Sequence, residues 1–225
     1  MTPAPDGRPL VIFGNLASAS MARHCIEHET GLRVAAFCVD AAYRTTDTFE
    51  DLPLLPFEEL ERWFPPVAAR MVIPVGYQHI NGLRRSRFEN ARQRGYTFIT
   101  YVSPRASVWP TLKPGDNTLV YDQAIIQPYA ELGTNCIVRS GANISHHSVV
   151  EDHVFIGAGV TMGGKCRIGE QAFIGVGAVL VDQVTIAPRT FVGAGAVVIR
   201  DTEPDGVYVG NPARRLPDRT ARSVS

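Results

Sequence analysis

The sequence has no long apolar run and no excess of charge of either sign. Its 225 residues include 22 Lys or Arg and 22 Asp or Glu, so the formal net charge is zero. Balanced charge argues against a nucleic-acid binder held by its overall field. No apolar run approaches the roughly 18 residues of a membrane span. The start "MTPAPDGRP" also lacks the apolar core of a signal peptide. We therefore expect a soluble cytoplasmic protein that binds neither nucleic acid nor membrane.

Cysteine and histidine are scarce as well. The four cysteines lie far apart without a C-x-x-C pair, which favours reduced thiols over a disulfide framework or a metal site. Only six histidines occur, and two of them stand together in "SGANISHHS" as His146 and His147. Such a pair can be an acid/base centre, part of a metal site or a solvated corner.

Residues 119–202 follow a period of six without a gap. Read from Leu119, 14 consecutive blocks carry an apolar residue at the second position and a small residue at the sixth. Chance gives such an apolar row on the order of once in a hundred thousand trials at this composition. The second positions are Val120, Ile126, Leu132, Val138, Ile144, Val150, Ile156, Met162, Ile168, Ile174, Leu180, Ile186, Val192 and Val198.

This period is typical of a parallel β-helix built from hexapeptide repeats. Each block predicts a short strand and a corner, and three blocks close a triangular coil whose interior takes the apolar side chains. Val102 and Val108 keep the same phase, so the predicted prism spans residues 103–216. We expect glycines such as Gly157, Gly169 and Gly175 to occupy corners with unusual backbone angles. Residues 217–225 are predicted to form a flexible tail.

The first hundred residues alternate apolar runs with amphipathic stretches. The runs "PLVIFG", "RVAAFCVD", "RMVIPVG" and "YTFITYV" predict strands, and residues 18–28 and 81–95 predict helices. The alternation predicts a small Rossmann-like parallel α/β sheet over residues 1–102. Ligands of such sheets bind at the carboxyl ends of the strands, beside helix N-termini. The arginine-rich helix "RRSRFENARQR" is expected to present a solvated face.

With both parts in place, the chain resembles the bacterial hexapeptide-repeat sugar acyltransferases. These include sialic acid O-acetyltransferases and N-acetyltransferases of nucleotide-linked amino sugars. The resemblance runs from "VIFGN" through the hexapeptide blocks to "VYVGNPARRL". It implies a left-handed β-helix, a homotrimer with active sites between subunits, and acetyl-CoA as the acyl donor without a metal. The handedness comes from the resemblance alone.

The resemblance also implies roles for single residues. Members carry a histidine followed by an acidic residue in the coil of "SHHS", so His146 matches the catalytic base. His147 stands in place of the acid and is taken as a second catalytic residue. Gly164 matches a glycine whose amide faces the thioester carbonyl of the coenzyme.

Other positions are matched to the two ligands. Backbone contacts to the pantetheine arm are implied at Val176 and Ala194, and a contact to the coenzyme phosphates at Arg214. The loop after the first strand is implied to hold the nucleotide sugar, with Asp40 beside the nucleoside. Phe155 stands where many members carry a second histidine that contacts the ligand. The substrate-binding set is therefore Gly14, Asn15, Leu16, Asp40 and Phe155.

The residues themselves also support His146. It holds the fourth position of its block and not the inward second, so it is expected to project outward, and Gly163–Gly164 follow one coil later. An imidazole beside bare amides pairs a base with an oxyanion donor, as acyl transfer requires. His147 or Asn143 could orient this base, whereas His153 is expected on the surface.

Several alternatives remain open at this point. His146, His147 and His153 could bind zinc, as in carbonic-anhydrase-like prisms, although neighbouring residues of a strand point in different directions. The expected function is acetyl transfer from acetyl-CoA to the amine or hydroxyl of a nucleotide-linked sugar in surface polysaccharide synthesis. An O-acetyltransferase of a free or lipid-linked sugar and a non-catalytic trimeric scaffold are the alternatives.

Overall fold

Six strands and two helices build the N-terminal region in the computed structural model, which describes residues 6–223. Residues 1–5 and 224–225, part of the predicted N-terminal domain and tail, lie outside the described residues. The strands are β1 (Leu10–Phe13), β2 (Val34–Val39), β3 (Thr48–Phe49), β4 (Leu52–Pro56), β5 (Arg70–Val72) and β6 (Thr97–Phe98). The helices are α1 (Ala17–Thr30) and α2 (Gly82–Gln93), with short 3-10 turns at Ala41–Tyr43, Phe57–Arg62, Pro66–Ala68 and Ala221–Ser223.

The sheet order is β3-β4-β2-β1-β5-β6, and every pair is parallel except β3 with β4. The predicted parallel α/β sheet is therefore confirmed. Helix α1 packs Ala19, Ala22 and Ile26 against it because these residues share one face. The carboxyl ends of β1, β2 and β5 meet at one edge of the sheet.

The predicted last strand, "YTFITYV", divides between the two parts of the chain. Thr97–Phe98 pairs with β5, whereas Tyr101–Val102 pairs with Leu119–Val120 of the prism. The repeat thus begins two residues before the predicted boundary at 103. The two parts share this segment without a linker.

Two-residue strands build a left-handed parallel β-helix with three faces, as predicted. The covered face contains Tyr101–Val102, Leu119–Val120, Ile137–Val138, Phe155–Ile156, Phe173–Ile174, Phe191–Val192, Gly206–Val209 and Arg214–Thr220. The polar face contains Glu131–Leu132, Val149–Val150, Arg167–Ile168 and Thr185–Ile186. The open face contains Ser107–Val108, Ile125–Ile126, Asn143–Ile144, Thr161–Met162, Val179–Leu180 and Val197–Val198.

The interior of the prism is filled as the six-residue period predicts. All 14 apolar second positions are buried in one continuous core, and the small sixth positions are buried beside them. Strands of adjacent coils pair in register at a spacing of 18 residues, for example Val150 with Ile168. The stacked apolar rows therefore supply the main burial that stabilises the prism.

The glycines at third positions of the blocks have a different cause from the predicted one. Gly157, Gly169 and Gly175 hold third positions, and none of them has a left-handed φ. A Cβ on Gly157 would lie 2.7 Å from the Val176 nitrogen, so the next coil approaches too closely for any side chain. Left-handed residues occupy the fifth position of each block from Gln123 to Gly195, and most of them are not glycine.

Outward residues give the three faces different characters. On the covered face, Leu119, Ile137 and Phe173 pack against the N-terminal region. The open face instead exposes Ile125 and Val179, at 41% and 38% of their surface. The N-terminal region thus lies on one face of the prism, and among residues 6–223 it does not cover the opposite edge, between the open and polar faces.

A buried polar ladder follows the corner between the polar and covered faces. Asn117 Nδ2 donates to Asn135 Oδ1 at 2.7 Å, and Asn135 Nδ2 donates to His153 Nδ1 at 2.8 Å. His153 was expected on the surface but is only 6% exposed. The expectation is wrong because the N-terminal region covers this corner. Burial lowers the pKa of His153 to about 4.

The carboxyl end is also more ordered than expected. Arg214–Thr220 pairs antiparallel with Gly206–Val209, and Ala221 is fully buried beside Phe173. The prediction of a flexible tail from residue 217 is therefore wrong for residues 217–223, which form the end of a strand and a 3-10 turn. The polar composition of this segment gave no sign of a strand, because the strand is stabilised by pairing with the last coil.

Candidate active site

His146 and His147 stand on the free edge between the open and polar faces. Both side chains are exposed, and their Nδ1 atoms are 3.1 Å apart with the rings nearly perpendicular. His147 has a left-handed φ of 58°. The ring of Tyr129, one coil earlier, lies 4.7 Å from that of His147. The predicted pair is thus brought together and supported by an aromatic neighbour.

The contact between the two Nδ1 atoms restricts the tautomers of the pair. One of them must donate and the other accept, because two lone pairs or two hydrogens would repel. If His146 donates, its Nε2 carries a lone pair and can act as a base. Among residues 6–223, no hydrogen bond occupies that Nε2. His147 can therefore replace the missing acidic residue as the acceptor that orients His146.

Gly164 lies directly beneath the imidazole of His146. A Cβ at this position would fall 2.7 Å from Nε2 and 2.6 Å from Cε1. Glycine is therefore required for the imidazole to lie over the coil. The stacking predicted from the 18-residue spacing is present.

The amides beneath the imidazole are not bare as expected. Gly163 N donates to Leu180 O at 2.8 Å within the coil ladder, and Gly164 N donates to Asp182 Oδ1 at 2.6 Å. Asp182 is exposed and lies one coil after Gly164. The six-residue pattern did not predict this contact. An oxyanion contact from Gly164 requires the Asp182 carboxylate to turn away.

Asn143, the other predicted partner of His146, does not orient it. Its Oδ1 is buried, and among the described residues it accepts no hydrogen bond. Asn143 lies on the open face three residues before His146, with its backbone paired to Ile125 and Thr161. Of the two predicted partners, His147 is the one whose side chain contacts the imidazole of His146 among the described residues.

A cavity of about 460 Å³ opens at the carboxyl edge of the N-terminal sheet. The predicted residues Gly14, Asn15, Leu16 and Asp40 all line it. Helix α1 begins there without a side-chain cap or an acidic residue in its first turn, so its positive end favours an anion. Ser18, the last residue of the predicted loop, also lines the cavity, together with Tyr43, Gln78 and His79, which the sequence did not reveal.

Asp40 is held in place by an arginine that the sequence did not reveal. Arg87 Nε and Nη2 donate to the two carboxylate oxygens of Asp40 at 2.7 and 2.8 Å. This paired geometry fixes the orientation of the carboxylate. The two residues lie 47 positions apart, so only the folded sheet brings them together.

Phe155, predicted to bind the substrate, lies apart from both the N-terminal cavity and the histidine pair. It lies on the covered face, 5.4 Å from the ring of Phe173 and 5.7 Å from that of Tyr77. The guanidinium of Arg84 lies 6.0 Å from its ring. Phe155 thus forms part of the contact between the prism and the N-terminal region. It lines neither the cavity nor the edge that carries His146.

The predicted coenzyme contacts lie on the other edge of the open face. Val176 and Ala194 are exposed and stack at a spacing of 18 residues. The neighbouring Gly177 and Gly195 leave open space, since a Cβ on either would meet no atom within 4 Å. Arg214 lines a separate pocket of about 230 Å³ near Arg200. The open space at Gly177 and Gly195 suits a narrow chain such as the pantetheine arm, and the arginines of the pocket suit phosphate groups.

Two features of the described residues concern a metal site and a membrane span. Across positions 6–223, no three His, Cys, Asp or Glu side chains are grouped so as to hold a metal ion. Over the same residues, neither helix has the length and apolar content needed to cross a bilayer.

Known proteins share both the repeat and the whole architecture. The bacterial transferase hexapeptide family (six repeats) matches residues 147–180 and 165–200. The acetyltransferase domain of PglB from Neisseria gonorrhoeae, in complex with acetyl coenzyme A, is 27% identical with a TM-score of 0.82. The match covers 93% of this chain and 99% of that chain. No curated protein sequence matches the chain.

Two other solved structures are similar over most of the chain. PerB from Caulobacter crescentus, in complex with CoA and GDP-perosamine, is 26% identical with a TM-score of 0.82, covering 95% of this chain and 99% of that chain. WeeI from Acinetobacter baumannii, at 20% identity and a TM-score of 0.62, covers 92% of this chain and 99% of that chain and supports the fold alone. The chain carries hexapeptide repeats, and these similarities indicate an acyltransferase. It is similar to N-acetyltransferases of nucleotide-linked amino sugars, as the sequence resemblance implied.

Proposed function

We propose that the protein transfers the acetyl group of acetyl-CoA to the amine of a nucleotide-linked amino sugar. The observation that carries this proposal is the imidazole of His146 stacked on Gly164, on a prism whose N-terminal region holds a nucleotide-sized cavity. Similar proteins bind acetyl coenzyme A or GDP-perosamine in comparable folds. The same arrangement suits a cytoplasmic step of surface polysaccharide or O-antigen synthesis.

His146 acts as the general base in this proposal. Its Nε2 accepts a proton as the amine nitrogen bonds to the acetyl carbonyl carbon, and the carbon–sulfur bond then breaks. The proton held on the imidazolium can neutralise the departing thiolate. His147 accepts the Nδ1–H of His146 and so keeps the basic lone pair on Nε2. No acyl-enzyme is required, since Cys136 and Cys166 are buried and the amine can attack directly.

The coenzyme binds along the open face. Gly177 and Gly195 leave room for the pantetheine arm beside Val176 and Ala194, and Arg214 meets the phosphates together with Arg200. The Gly164 amide supports the carbonyl oxygen once Asp182 has turned away. Exposure of Asp182 makes this movement inexpensive.

The nucleotide sugar binds in the N-terminal cavity. The start of α1 receives the diphosphate between Gly14 and Ser18. Asp40, oriented by Arg87, contacts the nucleoside as an acceptor of hydrogen bonds. Tyr43 is 70% exposed at the cavity mouth, where an aromatic ring can stack on a base.

One chain alone does not complete this site. The N-terminal region lies on the covered face, whereas His146 stands on the edge opposite to that face. The acceptor held by one subunit must therefore meet the histidine of another. A homotrimer packed through the open face, where Ile125 and Val179 are exposed, supplies three such sites by cyclic symmetry.

Release of coenzyme A, measured with a panel of UDP-, GDP- and dTDP-linked sugars, tests the proposal. Each nucleotide sugar is offered with a free amine and, as a matched control, with a hydroxyl at the same carbon. Turnover that requires the amine supports the proposal. Turnover with the hydroxyl sugar, or with free sugars alone, would indicate an O-acetyltransferase, and no turnover with any acceptor would favour a scaffold.

A further inference from the structure

One buried cation joins the wall of the N-terminal cavity to the prism. Arg84, on α2, has no exposed surface, although its arginine-rich helix was expected to be a solvated face. Among the described residues it forms no ion pair, and its hydrogen bonds all end on amide oxygens. Burial lowers the pKa of this guanidinium to about 10, which leaves it charged at neutral pH.

The guanidinium reaches both sides of the contact between the two regions. Nη1 donates to Val75 O at 3.1 Å, to Gly76 O at 3.0 Å and to Asn81 Oδ1 at 2.9 Å. These three acceptors belong to the loop that follows β5. Val75 and Gly76 line the cavity proposed for the nucleotide sugar.

The other nitrogens of Arg84 bind the prism. Nη2 donates to His153 O at 2.7 Å and Val154 O at 3.2 Å, and Nε donates to Asn135 O at 3.1 Å. Asn135 and His153 are one coil apart. A planar fork with fixed donor directions specifies the position of all these acceptors together.

Asn81 adds a second connection to the next coil. It is fully buried with a left-handed φ of 63°, and its Nδ2 donates to Gln171 O at 2.9 Å and Ala172 O at 3.1 Å. Arg84 and Asn81 together therefore tie the loop of residues 75–81 to three successive coils.

The loop needs such a restraint because of its backbone. His79, Ile80 and Asn81 have φ values of 53°, 49° and 63° in succession. Three consecutive non-glycine residues in this region are strained, and the surroundings must hold them there. Gln78 and His79, which line the cavity, owe their position to this conformation.

We propose that Arg84 and Asn81 form a positioning clamp that sets the nucleotide-sugar cavity in register with the prism. This inference rests on the proposed function, in that the cavity holds the acceptor. The clamp touches neither ligand. It acts through Gly76, Gln78 and His79, and so governs where the acceptor amine lies relative to the coenzyme.

Asn81→Gly is the sharpest test, because glycine keeps the left-handed backbone and removes only the side chain. We expect the acceptor KM to rise by about tenfold or more and kcat to fall, since small misplacement of a reacting group is costly. The Kd for acetyl-CoA should stay within about twofold of the wild-type value. Arg84→Lys, which keeps the charge and loses the fork, should act in the same direction.

Arg92→Gln is the matched control, because Arg92 is an exposed arginine on the same helix. It should leave both constants unchanged. Hydrogen exchange of residues 75–81 should be faster in Asn81→Gly than in the control. If Asn81→Gly lowered the Tm but kept the wild-type acceptor KM, the positioning role would be wrong, and the contact would serve stability alone.

The two proposals can fail separately. If the wild-type protein shows no turnover with any nucleotide sugar, the proposed function fails. Binding of UDP, GDP and dTDP by calorimetry still tests the clamp in that case. Unchanged diphosphate affinity and unchanged exchange of residues 75–81 in Asn81→Gly would contradict it.

Discussion

The imidazole of His146 lies over the α-carbon of Gly164, so close that a Cβ there would be 2.7 Å from Nε2. Gly164→Ala should displace the exposed imidazole and leave the coil in place, because the ring lies at the surface whereas Gly164 O accepts from Gln183 N at 2.9 Å within the coil ladder. We expect kcat to fall on the order of a hundredfold, the effect of misplacing a catalytic group by about 1 Å.

Calorimetry and thermal unfolding separate this effect from damage to the fold. The Kd for acetyl-CoA and the Tm of Gly164→Ala should remain close to the wild-type values. Full activity in this variant would mean that the imidazole does not need its place above Gly164, and the assignment of the base would be wrong.

His147 should act through the acceptor capacity of its Nδ1. His147→Phe keeps a ring against Tyr129 but removes the acceptor, so kcat should fall by at least about tenfold. His147→Asp restores an acceptor, and Asp tolerates the left-handed backbone at this position. It should retain activity within a few-fold. Steady-state rates of the two variants would contradict this role if Phe were the better substitute.

Asp182 is expected to compete with the coenzyme for the amide of Gly164. Asp182→Ala frees this amide and should tighten acetyl-CoA binding, measured by calorimetry, because no carboxylate has to be displaced. Asp152→Ala is the matched control. Asp152 Oδ1 accepts from Thr134 N at 2.7 Å, one corner away from the site. Weaker binding in Asp182→Ala alone would show that the carboxylate serves the coenzyme directly.

The buried His153 should make the fold sensitive to acid. Its pKa is lowered to about 4, whereas an unfolded histidine titrates near 6.5. The unfolded chain therefore binds the extra proton first as the pH falls. Stability should decrease between about pH 6.5 and 4, by about 3 kcal/mol from this group, and level off for it below pH 4.

His153→Asn provides the comparison for this effect. Asparagine already occupies the ladder at Asn117 and Asn135, with the same left-handed backbone. Urea unfolding at several pH values should give a flatter profile for the variant between pH 6.5 and 4. Parallel profiles for the two proteins would show that His153 is not the group responsible.

The repeat made the inward row of the prism predictable, because one apolar side chain every six positions has only one interior to fill. Gly164 could be placed beside His146 for the same reason, since each coil takes 18 residues. Asp182 could not be predicted as the partner of the Gly164 amide, because the six-residue period fixes only the inward apolar positions and Asp182 points outward.

Contacts between the N-terminal region and the prism could not be predicted from the sequence for another physical reason. His153 and Arg84 look like surface residues in their own segments, and each is buried only because the N-terminal region covers one corner of the prism. Arg87 and Asp40 likewise meet through the packing of α2 beside the sheet. Such pairs depend on how two elements dock, which neither local pattern contains.

The proposed active site combines the nucleotide cavity of one subunit with the His146 of another. Mixed trimers of His146→Ala and Asp40→Ala chains test it, assayed at an acceptor concentration where each variant alone is inactive. Chains combined at random in equal amounts should regain about one quarter of the wild-type activity, because a site then draws an intact cavity and an intact histidine from different chains. No recovery in trimers shown by mass spectrometry to contain both chains would contradict a shared site.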